Sequence, residues 1–326
     1  MKKTKPFAIV YALNGQGGAE QRPLTDLSHL AAGTETVWIH LNLSDSRAAR
    51  WLKKQPEFTD WVLDNLIEPD ISEPRMRVRQ NNIFLVLRTV NMMPKSEPDD
   101  LVFLRLFASE KVLITTYENP ALNFAEIDAL FRENDGPIGM TDLIPMILEH
   151  TLDSVADSVS GIEDQVDDME EAIITGRPNE KTYQNLSEFL RQVIVLRRFM
   201  LPEREVLDNL MRHSVVWFTP DTERSIRDDF DRIRRIVEDI DLLEKRIRIN
   251  QDALSHAEDR QTQRNTYMLS LIAGIFLPLS FLAGIFGMNL GGIPLGASAY
   301  GFWTVNLVMI LIGILIWILF KYLKWV

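Results

Sequence analysis

Two long uncharged segments near the end of the sequence constrain this chain more than any other feature. Residues 267–286 and residues 301–320 each comprise twenty residues without a charged side chain. At a rise of about 1.5 Å per residue, each makes ~30 Å of helix, the thickness of the hydrocarbon layer of a bilayer. The fourteen residues between them leave room only for a tight connection at one membrane face. The pair therefore predicts a transmembrane helical hairpin.

Charged residues around the two segments predict the orientation of the hairpin. Arg260 and Arg264 precede the first segment, Lys321 and Lys324 follow the second, and residues 287–300 carry no charge. Lysine and arginine accumulate on the cytoplasmic side of membrane proteins. We therefore expect a multi-pass protein of the cell inner (plasma) membrane with both termini in the cytoplasm. A hairpin buried inside a soluble protein is the alternative.

The composition narrows the classes of function. The chain has 46 acidic and 35 basic residues, and this acidic balance argues against a nucleic-acid partner and permits attraction of cations. The absence of cysteine excludes disulfides, thiolate metal sites and cysteine nucleophiles. The sequence has no nucleophile–base pair, P-loop or cofactor motif. We therefore expect neither an enzyme nor a protein with a bound cofactor.

The first part of the chain has the pattern of an α+β domain. Short runs rich in valine, isoleucine, phenylalanine and threonine predict strands, and two polar stretches between them are typical of helices. The predicted strands are residues 7–13, 36–41, 83–90, 101–107 and 111–117, and the predicted helices are residues 46–54 and 60–67. We expect these elements to form an αβα-like cytoplasmic domain.

From residue 122 onwards the pattern becomes helical. Helices are predicted over residues 122–134, 142–175, 179–213 and 221–286, and Pro202 is expected to kink or divide the third. The last is interpreted as one long stalk helix with Asp221 or Thr222 as its N-cap. Apolar residues recur along it every seven positions, which is typical of a coiled coil or helical bundle. They are Ile226, Ile233, Ile240, Ile247 and Leu254.

A stripe of small and polar residues runs along the first membrane segment. Its members recur at spacings of three and four, so they share one helix face, and bulky side chains occupy the opposite face. The stripe comprises Gln263, Thr266, Ser270, Ala273, Leu277, Ser280, Gly284 and Gly287. Such a face can serve helix packing. Several copies around an axis would instead line a pore, in which Leu277 would form a constriction.

Acidic residues accumulate between Arg132 and Arg177, where the sequence has no lysine or arginine. We interpret this region either as a solvated face that pairs with the arginine-rich segments 191–204 and 224–235, or as a region that attracts cations.

Within the acidic region, Glu149, His150 and Asp153 lie within one helical turn and form a candidate cytoplasmic metal site. Imidazole and carboxylate donors together suit Zn²⁺ better than Mg²⁺. His213 and His256 are isolated in the sequence, and we interpret both as ordinary surface or interface residues.

The residues that follow the first membrane segment resemble a known family. Gly287-Met288-Asn289, at the outer end of the first of two C-terminal spans, is similar to the signature of the CorA metal-ion transporter family. Segments 264–270 and 286–294 resemble its ZntB-like zinc branch, and so does the order of domain, stalk, hairpin and basic tail. The outer loop has no acidic residue, which departs from the magnesium-transporting members.

This resemblance implies a homopentamer whose first membrane helices line a central pore. Gly287, Met288 and Asn289 would form an outer ring for a hydrated cation, and the stripe would continue the path inwards. Constrictions would lie at Leu277 or Leu269. The resemblance also implies uptake of zinc, stimulated by a proton gradient, with Co²⁺, Ni²⁺, Cd²⁺ and Mg²⁺ as further cargo. The alternatives are a CorA-type Mg²⁺/Co²⁺ channel and a membrane-anchored metal sensor or scaffold.

These expectations divide the chain into seven segments. They are a cytoplasmic α/β domain (1–140), a helical acidic segment (141–220), the stalk helix (221–266), a pore-lining span (267–286), an extracytoplasmic loop (287–300), a second span (301–320) and a basic cytoplasmic tail (321–326).

Overall fold

The computed structural model describes residues 6–67, 73–91, 97, 99–119, 121–122, 124–175, 180–213, 215–288 and 300–322. The chain divides into two compact units, Met1–Gln251 and Asp252–Val326, which we term unit 1 and unit 2. Residues 289–299 and 323–326 lie outside the described residues, so the predictions for Asn289, for most of the outer loop and for Lys324 are not addressed by the structure.

A seven-stranded sheet forms the centre of unit 1 within the described residues. Its strands are β1 (Ala8–Leu13), β2 (Ala19–Gln21), β3 (Val37–Asn42), β4 (Arg75–Arg79), β5 (Asn82–Val90), β6 (Leu101–Ala108) and β7 (Val112–Tyr117). Their order is β2-β1-β3-β7-β6-β5-β4. The central pair β3 and β7 is parallel, with Ile39 opposite Ile114, and the other neighbours are antiparallel.

All five predicted strands are confirmed, and two short edge strands were missed. In β4, Arg75, Arg77 and Arg79 alternate with apolar residues, so the segment lacks the apolar run by which the other strands were predicted. Charged side chains on an edge strand oppose edge-to-edge aggregation. The turn from β4 to β5 is made by Gln80 and Asn81, whose φ angles of 50° and 62° are typical of a tight hairpin turn.

Helices cover both faces of the sheet, which confirms the αβα-like architecture. On one face lie α1 (Leu27–Leu30), α2 (Ser46–Leu52) and α3 (Asp60–Ile67); on the other lie α4 (Phe124–Glu133), α5 (Met140–Ile174), α6 (Glu180–Arg212) and the first part of α7 (Pro220–Gly287). Neighbouring residues of β3 point to opposite faces, so Trp38 packs in the core beneath α4–α7 and Ile39 in the core beneath α1–α3.

Two details of the long helices bear on the sequence-based expectations. The helix α6 continues through Pro202, so division at this residue, one of the two alternatives, is wrong. The helix α7 begins at Pro220, before either predicted N-cap, and Thr219 accepts a hydrogen bond through Oγ1 from the backbone N–H of Thr222 at 3.2 Å. Proline suits the first helical position because the N–H that it lacks would have no partner there.

Four of the five members of the predicted apolar repeat on α7 are buried in unit 1, and the fifth, Leu254, is buried in unit 2. Ile226, Ile233, Ile240 and Ile247 are each at most 1% exposed, and they share a core with apolar residues of α5 and α6 such as Ile162 and Leu196. The repeat therefore packs a helical bundle within the chain, as its seven-residue period predicts.

Unit 2 contains the remainder of α7 and the helix α8 (Gly301–Tyr322). Both helices are long and apolar enough to cross a membrane. Their apolar stretches coincide with the two predicted spans, and α8 continues two residues beyond the predicted end.

Candidate functional site

In unit 2, α7 packs against α8 through glycines and bulky side chains. A Cβ added at Gly274 would lie 2.8 Å from Cζ of Phe320, and one added at Gly313 would lie 3.9 Å from Cδ1 of Leu279. Residue numbers rise along α7 as they fall along α8, so the two helices are antiparallel, as a hairpin requires. A small apolar cavity of ≈ 80 Å³ lies further along, lined by Leu282, Phe286, Thr304, Val305, Val308 and Met309.

The small and polar stripe lies on the side of α7 that α8 leaves open. Every member from Gln263 to Gly287 is exposed, and Leu277 is 68% exposed. At about 100° per residue, the stripe is centred roughly 165° around the helix from the contacts with α8. The stripe therefore does not serve packing within the hairpin, and it is free to face another copy of the chain.

Polar groups on the stripe are partly satisfied by their own helix. Ser270 donates from Oγ to the carbonyl oxygen of Thr266 at 2.9 Å, which leaves the hydroxyl oxygen able to accept from a water. Leu269, the other candidate constriction, is 67% exposed and lies beside the stripe. In an assembly, these positions would alternate between hydroxyl or amide groups and apolar side chains.

The C-terminal end of α7 coincides with the start of the Gly287-Met288-Asn289 tripeptide. The helix ends at Gly287, and the backbone N–H of Met288 donates to the carbonyl oxygen of Ile285 at 3.3 Å. The side chain of Met288 is 47% exposed. Asn289 lies outside the described residues, so its role in an outer ring stays a prediction.

The structure does not gather Glu149, His150 and Asp153 into one set of ligands. His150 forms a hydrogen bond through Nδ1 with the carbonyl oxygen of Met146 at 2.9 Å, and Asp153 forms an ion pair with Arg232 of α7. Among the described residues, no group of three or more histidine, aspartate or glutamate side chains is arranged to hold a metal ion. As a metal site, the trio stays a prediction, and no contact among the described residues supports it.

The acidic face of α5 pairs with arginines of α7. Arg246 contacts Glu163 at 3.4 Å and Glu170 at 2.7 Å, and it also contacts Asp167. The hydrogen bond from Arg246 lowers the pKa of Glu170. These contacts favour the interpretation of the region as a partner for arginine-bearing helices. Of the two segments that the sequence suggested, residues 191–204 and 224–235, the second supplies Arg232, which pairs with Asp153, and Arg246 extends the pairing beyond it.

A cavity of ≈ 490 Å³ opens between α5 and α7, and Arg232, the ion-pair partner of Asp153, lines it. Asp229 lines it and is 7% exposed, and its Oδ2 atom has no hydrogen-bond partner within the described part of the chain. Burial, with a smaller contribution from the nearby Glu149, raises the pKa of Asp229 to about 7. The remaining lining residues are Ala156, Asp228, Arg235, Ile236 and Asp239.

Sequence-based reasoning missed two buried carboxyl groups, although the sequence contains a signal for both. Asp229 lies between Ile226 and Ile233 on the buried face of α7, and Glu203 lies three residues after Met200 on the buried face of α6. A charged residue at an apolar position of a helical repeat is the signal. Burial raises the pKa of Glu203 to about 8.

Comparisons with known proteins give consistent results. A model of the family described as "CorA-like Mg2+ transporter protein" matches residues 33–322. The divalent cation transporter CmaX of Pseudomonas aeruginosa is 29% identical over 317 residues, covering 97% of this chain and 95% of the relative. The zinc transport protein ZntB of Pectobacterium carotovorum is 31% identical over 316 residues, covering 97% and 94%. The solved structure of full-length CmaX matches with a TM-score of 0.84 at 28% identity, covering 99% of this chain and 100% of its own.

Proposed function

Since the chain belongs to the CorA family of divalent-cation transporters, we propose that it carries Zn²⁺ across the cell inner membrane through a pore shared by five copies. A transporter is not an enzyme, and family membership also removes the support for a membrane-anchored sensor or scaffold. The observation that carries the proposal is the exposed stripe on α7. The stripe faces away from α8, and it can enclose a path for ions only together with the stripes of neighbouring copies.

The residue types along the stripe suit passage of a hydrated cation. Hydroxyl and amide groups at Gln263, Thr266, Ser270 and Ser280 can bond to the water shell of an ion without removing it, which costs less free energy than dehydration. Leu277 would form an apolar ring that closes the path by excluding water. At the outer mouth, the Gly287 carbonyl and the Asn289 amide would provide a ring of neutral oxygen ligands.

Zinc is favoured as cargo by the name of one relative and by the uncharged outer loop. The relative from Pectobacterium carotovorum is a zinc transport protein. The second candidate is a Mg²⁺/Co²⁺ channel, which the description of the family model favours. The outer segment has no carboxylate with which to concentrate a hard cation, so we rank zinc first.

Proton coupling, if it operates, must use groups outside the spans. Neither residues 267–286 nor residues 301–320 contain an aspartate, glutamate or histidine. An intramembrane carboxylate relay is therefore absent from both predicted spans. The buried carboxyl groups of Asp229 and Glu203 in unit 1 have pKa values of about 7 and about 8, and they are candidates for a response to cytoplasmic pH.

Flux measurements test this proposal directly. The full chain in proteoliposomes is offered Zn²⁺ or Mg²⁺ at equal concentration, with and without a pH gradient, while native mass spectrometry in detergent counts the copies. We expect zinc flux, stimulated by the gradient, from a pentamer. Magnesium flux without zinc flux would support the second candidate, and transport by a stable monomer or dimer would contradict the shared pore.

Asn289→Ala tests the outer mouth separately. We expect strongly reduced zinc flux with unchanged assembly, because an alanine ring offers no amide oxygen to the water shell of the ion. Flux equal to that of the wild type from a correctly assembled variant would contradict the role proposed for Asn289.

A further inference from the structure

His256 and Asp259 of α7 extend the stripe beyond the predicted span. From Gln263, spacings of four and then three residues lead back to Asp259 and His256, so the alternation that orders the stripe continues without a break. Both side chains are exposed in unit 2. Within the part of the chain that the structure describes, neither side chain makes a hydrogen bond or an ion pair.

Of the two arginines in this stretch, Arg264 lies on another face of α7, whereas Arg260 follows His256 by four residues and lies at the edge of the face that bears it. Arg260 and Arg264 line an open groove of ≈ 620 Å³ together with Gln261, Asn265 and Met268. At about 100° per residue, this groove is centred roughly 150° around the helix from the face that bears Asp259 and Gln263. The Nε atom of Arg260 donates to the carbonyl oxygen of His256 at 3.2 Å, which holds that guanidinium along its own helix.

His256 and Asp259 give this face of α7 two side chains of metal-binding character. An imidazole and a carboxylate, three residues apart, lie about one turn from each other on the side where the stripe runs. Zinc takes four ligands in a tetrahedral arrangement, and two donors from one helix turn leave that shell incomplete. No third ligand joins them among the described residues of one chain. The set is therefore complete only if neighbouring copies contribute the same pair.

We propose that His256 and Asp259 of neighbouring copies form a zinc-recognition ring at the cytoplasmic end of the pathway. This inference rests on the proposed shared pore and assigns the preference for zinc to a particular pair of residues. The outer mouth offers neutral oxygen donors, which suit hydrated Mg²⁺ and hydrated Zn²⁺ alike, whereas imidazole distinguishes the two ions. The ring replaces the interpretation of His256 as an ordinary surface residue.

Zinc binding provides a readout that does not depend on transport. Isothermal titration of Zn²⁺ into the full chain in detergent, combined with X-ray absorption of the zinc-loaded protein, compares wild type, His256→Gln and Asp259→Asn. The matched control is His213→Gln, because His213 is also exposed but lies in unit 1, where its Nδ1 bonds to the carbonyl oxygen of Asn209 at 3.0 Å.

We expect His256→Gln to weaken zinc binding by roughly tenfold or more and to remove imidazole scattering from the absorption spectrum. Asp259→Asn should weaken binding but retain the imidazole signal, and His213→Gln should match the wild type. In proteoliposomes, the ratio of zinc flux to magnesium flux should fall in His256→Gln and remain unchanged in His213→Gln.

Failure of this inference differs from failure of the proposed function. If the wild type transports zinc and His256→Gln retains the wild-type affinity, absorption spectrum and flux ratio, then the ring is wrong and the shared pore stands. If the wild type transports no zinc, the proposed function is wrong. Because both side chains are exposed, the variants should fold, and Asp259→Asn supplies a second check on the ring.

Discussion

Glu203 of α6 accepts a hydrogen bond through Oε2 from the backbone N–H of Arg88 in β5, with 3.0 Å between the two atoms. The edge strand β4 pairs with β5 only as far as Val86, so the N–H of Arg88 lies beyond its reach. The carboxyl group of Glu203 therefore satisfies a buried donor that the sheet leaves unpaired. This contact fastens α6 to the sheet.

The side chain of Arg88 is held beside the same contact. Its guanidinium lies 3.5 Å from the ring centre of Phe103 and 4.2 Å from that of Phe199, and Nη1 donates to the carbonyl oxygen of Leu101 at 2.8 Å. Burial outweighs the attraction of this cation, so the pKa of Glu203 is raised to about 8. At neutral pH the contact is therefore made chiefly by a protonated carboxyl group.

Glu203→Gln should flatten the dependence of stability on pH. An unfolded glutamate releases its proton near pH 4.5, whereas folded Glu203 retains it to about pH 8. Between these values the folded state binds more protons, so its unfolding free energy falls as the pH rises and levels off above pH 8. Glutamine retains an acceptor for Arg88 and does not titrate. Urea unfolding of the full chain in detergent at several pH values should show the difference.

The change in slope for Glu203→Gln should approach about 1.4 kcal/mol per pH unit between about pH 5.5 and pH 7, which is the effect of one proton. Glu205→Gln is the matched control, because Glu205 is exposed on the same turn of α6. Equal slopes for wild type and Glu203→Gln would show that the buried carboxyl group ionises at its ordinary pKa.

Asp229→Asn should stabilise the packing of α7 against α5 under alkaline conditions. The raised pKa of about 7 means that folded Asp229 keeps a proton that the unfolded chain releases near pH 3.8. The contribution of this group to stability is thus greatest below pH 3.8 and is lost as the pH rises to 7. Above pH 7 a charged, buried carboxylate with an unpartnered Oδ2 remains, and asparagine removes that charge.

The comparison for Asp229→Asn uses thermal unfolding midpoints at pH 5.5 and pH 8.5. We expect the midpoint of the variant to exceed that of the wild type at pH 8.5, and the difference to be smaller at pH 5.5. Each kcal/mol of added stability raises the midpoint by roughly 4–8 °C in a small domain and by less in a chain of this size. Asp228→Asn is the control, since Asp228 is exposed. A rise of the same size for Asp228→Asn would point to a general effect of net charge.

The sequence predicted the features that follow from periodicity. The two long apolar helices and the isoleucine repeat on α7 follow from the spacing of residues along the chain, and the structure contains both. The sequence could not show which face of α7 packs on α8, because that depends on the fit of Gly274 to Phe320 across two helices. It also could not identify Arg246 as the partner of the acidic face of α5, since such pairing depends on how two helices align in space.

Gly274→Val should weaken the hairpin, whereas Gly284→Ala should not. A Cβ at Gly274 would lie 2.8 Å from Cζ of Phe320, so packing must shift, but nothing lies within 4 Å of a Cβ at Gly284. Helices in membranes approach closely through small residues, so the first change loses contact between α7 and α8. The midpoint of thermal unfolding in detergent should fall by several degrees for Gly274→Val and remain near that of the wild type for Gly284→Ala.

If the stripe lines the pore, zinc flux should fall in Gly284→Ala, the variant that leaves the hairpin stable. Gly284 is exposed on the stripe, so five added methyl groups would narrow the path in Gly284→Ala. We expect reduced flux from a stable, assembled protein. Unchanged flux for Gly284→Ala would place this position away from the ions and would count against the stripe as the lining.

Leu277→Ser should increase ion leakage through the assembled protein. Leu277 is 68% exposed on the stripe and lies on the side of α7 away from α8, so its loss removes little contact within the chain. In a pore, an apolar ring at this depth excludes water, and a ring of serine hydroxyls would keep the path hydrated. Fluorescence assays of zinc entry into proteoliposomes should show faster entry, by about tenfold if the ring contributes ~1.4 kcal/mol to the barrier.

Leu282→Ser is the control, because Leu282 lines the cavity against α8 and its change should lower stability without opening the path. Equal or slower zinc entry through a folded pentamer of Leu277→Ser would show that the closed point of the pathway lies elsewhere, for which Leu269 would be the next position to replace.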